Sequence, residues 1–254
     1  MFNRRKLLLG SAAFALSGCK LLDGANQSDS TLRAMFASAE NLTRITQRAA
    51  NHNALAPEFT AADIRQGQRP NGSTDPDGAE YLDLAAAGFA NYRLRITGLV
   101  DNPLDLSYAQ IKALPARSQI TRHDCVEGWS CIAKWTGVPL STLLNSARPK
   151  LTARYALFHC YDAIERSLSG EVFYYESIDL IDAYHPQTIL AYGLNDAALP
   201  VANGAPLRLR VERQLGYKMA KYVHTIELAD SFAPFGGGKG SYWADRGYEW
   251  YAGI

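Results

Sequence analysis

From Leu32 the apolar positions Met35, Phe36, Ala39, Leu42 and Ile45 recur at helical spacing, which predicts an amphipathic helix. Residues 92–97 alternate instead, Arg93 and Arg95 standing between apolar neighbours, the period of a half-buried strand. Asp101-Asn102-Pro103 then turns the chain, and Ser107 with Gln110 has the form of a capping box, opening a short helix that runs to Leu114 and stops at Pro115. Apolar runs predict further strands at 118–123, 155–161, 188–192, 207–211 and 223–228, with helices at 140–147 and 178–183. Residues 66–79, QGQRPNGSTDPDGA, carry breakers and no period, so they read as a loop, of a length that often serves function. Short strands and helices intermingle without regular βαβ spacing, the pattern of an α+β fold. No repeat or shift in composition marks a second domain, so residues 61–254 are read as one domain.

Composition changes this picture little. A hydrophobic share of 47% is enough to build a core, and a net charge of +1 leaves no electrostatic footprint for nucleic acid. The tail GSYWADRGYEWYAGI (residues 240–254) is rich in aromatics, which suits either core packing or the mouth of a site.

The first residues read as an address. MFNRRKLLLGSAAFALSGC has a basic start, an apolar run too short to span a bilayer and then small residues, the signature of a signal peptide over residues 1–19. Arg4-Arg5 ahead of the apolar core resembles a twin-arginine export signal, and Leu16-Ser17-Gly18-Cys19 resembles a lipobox. The expectation is a periplasmic protein tethered to a membrane through lipidated Cys19, with residues 20–60 as tether and N-terminal helix. Export after folding suits a protein whose cofactor is inserted in the cytoplasm.

Without Cys19, an odd set of cysteines remains: Cys125, Cys131 and Cys160. At least one stays unpaired within the chain, and in an oxidising compartment such a thiol needs burial or a bound partner. Cys125 lies in Arg122-His123-Asp124-Cys125, where cationic neighbours would favour thiolate. A buried, inert cysteine is the plain alternative. The serine elbow, the HExxH zinc motif and the P-loop pattern do not occur. A cysteine–histidine hydrolase has His159, His185 or His224 to draw on as base, but no local signature. Zinc has His123, Cys125, Cys131, His159 and Cys160, but only at irregular spacings. Asn203 and Gly204, then Arg208 and Arg210, then Gly216 with Lys218 and Lys221 form either an anion cradle or a pair of turns with solvated basic residues.

Three blocks, in order, carry a resemblance: CVEGWS with KWTGVPLSTLL (residues 125–130 and 134–144), ILAYGLNDAALPVANGAPLRL (189–209) and GYKMAKYVHTIEL (216–228). The chain resembles, over residues 60–254, the molybdopterin-binding oxidoreductases of the sulfite-oxidase superfamily. It is most similar to their exported bacterial branch, which includes the catalytic subunit of periplasmic methionine-sulfoxide reductase. The resemblance implies a catalytic domain over 61–254 with the sulfite-oxidase-type fold and a molybdenum–molybdopterin cofactor. It implies Cys125 as metal ligand, since a thiolate is a soft donor suited to a two-electron metal. It further implies cofactor contacts from Asn203, Arg208, Met219, Ala220 and Lys221. Cys160 falls where the family often has threonine, and the loop at Arg69 matches another contacting segment less well. Arg122 and His123 are expected to shape charge near the metal. The implied activity is oxygen-atom transfer to or from a small sulfur- or nitrogen-containing substrate, with electrons exchanged with a separate haem- or quinone-linked partner. A cofactor-free periplasmic binding lipoprotein of the same fold is the alternative, beside the hydrolase. No CxxCH haem motif occurs, and no added dimerisation module is expected.

Overall fold

The computed structural model describes residues 31–50, 54–168 and 170–254, so the signal segment and Cys19 lie outside the described residues. Helix α1 (Thr31–Ala50) is the helix that the apolar spacing predicts, and it falls in a separate unit from the body, which begins at Leu55 rather than at residue 61. Residues 55–60 belong to the body because their backbone is used there. Phe59 N–H donates to the Ile120 carbonyl at 2.8 Å, and Gln187 exchanges side-chain hydrogen bonds with the Ala56 backbone.

Two sheets make the body. The first has the order β2-β1-β10-β5-β6, with β1 (Arg93–Gly98), β2 (Leu104–Ser107), β5 (Tyr155–Ser167), β6 (Gly170–Asp179) and β10 (Val223–Ala229). Its one parallel pair joins β1 to β10, far apart in sequence, which closes the domain on itself. The second has the order β3-β4-β7-β8, from β3 (Arg117–Cys125), β4 (Trp129–Pro139), β7 (Ile189–Leu194) and β8 (Ala197–Ala198), with β9 (Arg208–Arg210) also paired to β7. The helices are short: α2 (Ala79–Ala86), α3 (Tyr108–Ala113), α4 (Leu140–Ala147) and α5 (Leu180–Ala183). Ser107 and Gln110 close the expected capping box, Ser107 Oγ accepting from Gln110 N–H and Gln110 Oε1 from Ser107 N–H.

The main core draws residues from both sheets, including Leu94, Ile96, Phe158, Ile178, Leu190, Leu209 and Ile226. A smaller cluster around Trp135, Ile189 and Ala191 fills the other face of β7. The α+β architecture is therefore as expected, while several elements differ. Helix α2 and strands β4 and β6 were not read from the pattern, and β5 runs on past residue 161 to Ser167. The helix expected over 178–183 is shorter, because residues 178–179 finish β6 and the Asp179 carboxylate caps Leu180–Ala183 through Asp182 N–H.

Candidate active site

Strand β3 alternates faces, so Gln119, Thr121, His123 and Cys125 point inward while Arg122 points out. Cys125 is the last residue of the strand and pairs with Trp129 across a tight turn in which Gly128 takes φ +83°. This puts a thiol at the end of a rigid hairpin, 8% exposed, on the wall of a cavity of about 410 Å³. Asn71, Ser73, Asp162, Met219 and Lys221 line the cavity with it, and Tyr174, Tyr217, Trp243 and Tyr248 make an aromatic side.

Three of the expected site residues lie elsewhere: Arg122, Arg69 and Cys160, the last on the wall of a separate cavity with His159 and His224. Arg122 is on the outer face of β3, half exposed and paired with Asp124 at 2.9 Å, so strand alternation turns it away from the cavity. Arg69 is also exposed, stacked 5.0 Å above the Trp129 ring and 3.8 Å from Glu127, at the rim rather than inside. Its neighbours Asn71 and Ser73 face inward in its place.

His123 is buried behind Cys125, with Nδ1 at 2.8 Å from Arg210 Nη1. Burial and the nearby Arg208 and Arg210 hold it well below the ordinary imidazole range, so it is neutral and does not supply the positive charge expected beside the thiol. Burial pushes the Cys125 thiol up, against a backbone hydrogen bond from Glu127 that pulls it down. Ionisation of this sulfur thus calls for a stronger local cation, as a bound metal provides. Gly216 allows the backbone to lie against His123: a Cβ there would sit 2.4 Å from Nε2.

The basic segment resolves into three different environments. Arg210 is fully buried with Glu212 at 2.6 Å, and its Nη1 also reaches Met219 Sδ at 2.8 Å. Lys218 is fully buried and paired with Glu176. Arg208 and Lys221 are buried as well, but among the described residues neither meets a carboxylate within ion-pair distance. Arg208 donates to the Asn203 carbonyl at 3.2 Å and to Asn71 Oδ1 at 2.6 Å. Lys221 donates to the Ser73 and Ala202 carbonyls. Burial and the neighbouring Arg210 lower Arg208 to about 9, and burial and Arg208 lower Lys221 to about 7. Asn203 anchors the same corner, its amide 3.5 Å from the Gln68 carbonyl. The Ala220 carbonyl accepts from Leu209 N–H at 2.8 Å, tying the 219–221 segment to β9.

Asp162 faces this corner from β5, with Oδ2 bound to Ser73 Oγ at 2.6 Å and burial raising it to about 6. Cys160, one turn of the pleat earlier, is completely buried, and burial raises its thiol strongly. All three cysteines of the described residues are unpaired thiols.

Among the described residues, Gln68 Oε1, His123 Nε2, Asp162 Oδ1 and Arg208 Nε are buried side-chain atoms with no hydrogen-bond partner. Such atoms are rare in proteins and mark where a ligand or bound group completes the network. These four belong to residues around the cradle behind Cys125, while others, Thr121 Oγ1 and Trp135 Nε1 among them, do not. A soft sulfur donor, two cations with no carboxylate of their own and a ring of unused donors and acceptors suit one molybdopterin: a metal at the sulfur, a polar ring system and an acidic phosphate. The residues present fit that group. Asn71, Ser73 and Asp162 were missed in the sequence, whereas Trp243 and Tyr248 take the site-mouth reading that the aromatic tail offered beside core packing. The Asn and Ser lie in the long breaker-rich loop, whose length was the one available signal.

Comparison with known proteins agrees. A family model described as "Oxidoreductase molybdopterin binding domain" matches residues 82–234. A protein of Azospira oryzae named "Putative protein-methionine-sulfoxide reductase subunit YedZ1" is 33% identical over 252 residues, covering 99% of this chain and 86% of its own. The protein-methionine-sulfoxide reductase catalytic subunit MsrP of Xanthomonas campestris is 31% identical over 244 residues, 90% of this chain and 70% of that protein. Its counterpart from Gluconobacter oxydans is 39% identical over 154 residues, 56% of this chain and 48% of that protein. The sulfane dehydrogenase SoxCD from Paracoccus pantotrophus superposes with a TM-score of 0.51 at 21% identity, over 71% of this chain and 46% of that one, a likeness of fold. The chain belongs to the oxidoreductases with a molybdopterin-binding domain, and it is an enzyme of the sulfite-oxidase-type fold whose cofactor is molybdopterin.

Proposed function

We infer that this enzyme reduces methionine sulfoxide in exported proteins, as the catalytic partner of a separate haem- or quinone-linked electron carrier. The single observation that carries the reading of the site is the pairing of a buried thiol at a hairpin end with two buried cations that lack carboxylates. The methionine-sulfoxide reductases among the enzyme's relatives carry the choice of substrate.

Cys125 would hold the molybdenum through its sulfur, and the bound cofactor supplies two-electron chemistry that the side chains lack. Arg208 and Lys221 would neutralise its phosphate, Asn203 and Asp162 would hold polar edges of the pterin, and Met219 and Ala220 would pack beside it. His123, neutral and clamped by Arg210, backs the site without adding charge. In the net reaction the S=O bond breaks, the sulfur keeps an electron pair, and the oxygen leaves as water with two protons and two electrons. The aromatic side of the cavity limits water around the substrate. The hydrolase alternative has no support in the geometry: His159 and His224 line a different cavity, and His185 is buried away from Cys125, its Nδ1 accepting from Gln187 N–H at 3.3 Å.

Export and tethering rest on the sequence pattern of residues 1–19 alone. The test of the central reading is metal and pterin analysis of protein made in a host that inserts the cofactor. One molybdenum and one pterin per chain are expected, together with reduction of a peptide methionine sulfoxide by a reduced viologen dye. Cys125→Ser should keep the fold by circular dichroism and lose at least about 100-fold in that activity. Full activity in the serine variant would overturn the assignment of the metal ligand.

A further inference from the structure

The cavity at Cys125 has an asymmetric wall. One side belongs to the cofactor corner already described; on the other, Tyr174 and Tyr217 are joined by Trp243 and Tyr248 from the C-terminal segment, which lies beyond the residues 82–234 that the family model matches. Trp243 and Tyr248 stack with ring centroids 5.0 Å apart, and Tyr217 meets Tyr248 edge-on at 5.3 Å. This wall is held in place from behind. Asp245 accepts hydrogen bonds from Gly237 N–H, Lys239 N–H and the Tyr175 hydroxyl, Arg246 pairs with Glu165 at 2.6 Å, and Tyr217 OH donates to the Glu249 carbonyl at 2.7 Å. Tyr248 N–H closes the turn onto the Trp243 carbonyl. The rings are thus presented as a rigid surface rather than a mobile flap, although nothing in the core demands that Tyr248, 40% exposed, be aromatic.

Charge on the wall narrows what this surface takes. Asp162 and Lys221 line the cavity on the cofactor corner, and Glu127 is the charged side chain that lines the rest of it among the described residues. An inorganic oxyanion approaching Cys125 from the aromatic side would meet the Glu127 carboxylate and, among the described residues, no lining cation outside the cofactor corner. A neutral dipole carrying a methyl group meets aromatic faces instead, where polarisable sulfur and methyl groups gain about 0.3–1.5 kcal/mol per ring.

We propose that Trp243 and Tyr248 are specificity-determining residues that receive the S-methyl end of a neutral alkyl methyl sulfoxide and select it over oxyanions. The proposal rests on the sulfoxide-reductase reading above. Both rings stand outside the residues that would hold the cofactor, so they can act on the substrate without being ligands of the cofactor. The open rim at Tyr248 and Val126, both exposed, leaves room for the peptide that bears the sulfoxide.

The test uses molybdenum-loaded enzyme with reduced viologen as donor and N-acetylmethionine sulfoxide amide as substrate, comparing wild type with Trp243→Leu, Tyr248→Leu and the conservative Trp243→Phe. The leucine variants should raise KM about tenfold with kcat within about twofold, and the phenylalanine variant should recover most of the loss. Wild-type tryptophan fluorescence should also respond to the substrate without any donor present, and the response should shrink in Trp243→Leu. An unchanged KM in both leucine variants of an enzyme that does reduce the sulfoxide would overturn the proposal and leave the reductase reading standing. Loss of molybdenum from the variants would assign the rings to cofactor retention and overturn it too. A wild-type holoenzyme that reduces no sulfoxide would overturn the reading on which the proposal rests.

Discussion

Arg208 and Arg210 stand two residues apart on the same short strand, both fully buried, both over the ring of Trp135, at 5.2 and 4.2 Å. Their surroundings are opposite. Arg210 has a carboxylate fork in Glu212, which also takes a hydrogen bond from Gln119, and it has His123 and Met219 besides. Arg208 has a carbonyl, an amide oxygen and an Nε with nothing to donate to. A buried charge with a complete set of partners is part of the scaffold. One left with spare donors and no counter-charge is arranged for something that arrives later. The difference teaches that burial alone does not separate structural from functional cations; the inventory of their partners does.

The comparison breaks first at the scaffold end. Glu212→Gln removes the counter-charge of Arg210 while keeping the shape, leaving a buried guanidinium uncompensated, and should destabilise the protein by about 3–5 kcal/mol. For a domain of this size that lowers Tm by roughly 6–20 °C, readable in a thermal melt. A shift of less than about 2 °C would mean that Arg210 does not depend on Glu212. At the functional end, Arg208→Met should change the melt of cofactor-free protein by less than about 2 kcal/mol, because an apolar side chain replaces a cation that burial already disfavours. The same variant should lose the cofactor at least about tenfold more readily, measured as molybdenum and pterin retained after gel filtration. Normal retention would move Arg208 to the scaffold class.

How far the sequence discloses this depends on the kind of residue. Strands whose apolar residues alternate or cluster, such as β1, β7 and β10, are legible from the pattern, and the capping box at Ser107 is legible from two residues. Strand β4 is not, because its inward positions are Cys131, Ala133, Trp135 and Gly137, and small residues carry little hydrophobic signal. Nor is β6, where Glu176 and Ser177 sit fully buried yet read as polar surface. The site divides likewise. Cys125, Asn203, Arg208 and Lys221 are picked out by the family resemblance of the blocks that hold them. Spacing alone leaves an inert cysteine and a pair of basic turns as good readings. Arg122 and His123 misled for a physical reason: adjacency in sequence suggests a common electrostatic neighbourhood, whereas alternation sends Arg122 outward and burial keeps His123 neutral. Asp162 reaches the cavity only through long-range packing, which no local pattern records, while the aromatic tail holding Trp243 and Tyr248 offers the site mouth as one of two readings and leaves the choice to packing.

The finest test of the comparison is titration of Lys221, the second cation without a carboxylate. Its folded pKa is depressed to about 7 from an ordinary 10.5, so the unfolded chain binds more protons than the folded one between those limits. Its contribution to stability is therefore complete above 10.5 and is lost as pH falls towards 7. Arg208, lowered to about 9, acts in the same direction only above that value, and Asp162, raised to about 6, has finished its opposite change below pH 7. Between pH 7 and 9 the slope belongs chiefly to Lys221. Urea unfolding of cofactor-free protein should show stability rising by on the order of 1–2 kcal/mol across that window. Lys221→Met should flatten the rise, since methionine does not titrate. Loading the wild type with cofactor should flatten it as well, because an anionic phosphate beside Nζ restores the preference for the charged amine. A slope that persists in Lys221→Met would assign it to another group and remove Lys221 from the set of cations held in reserve for the ligand.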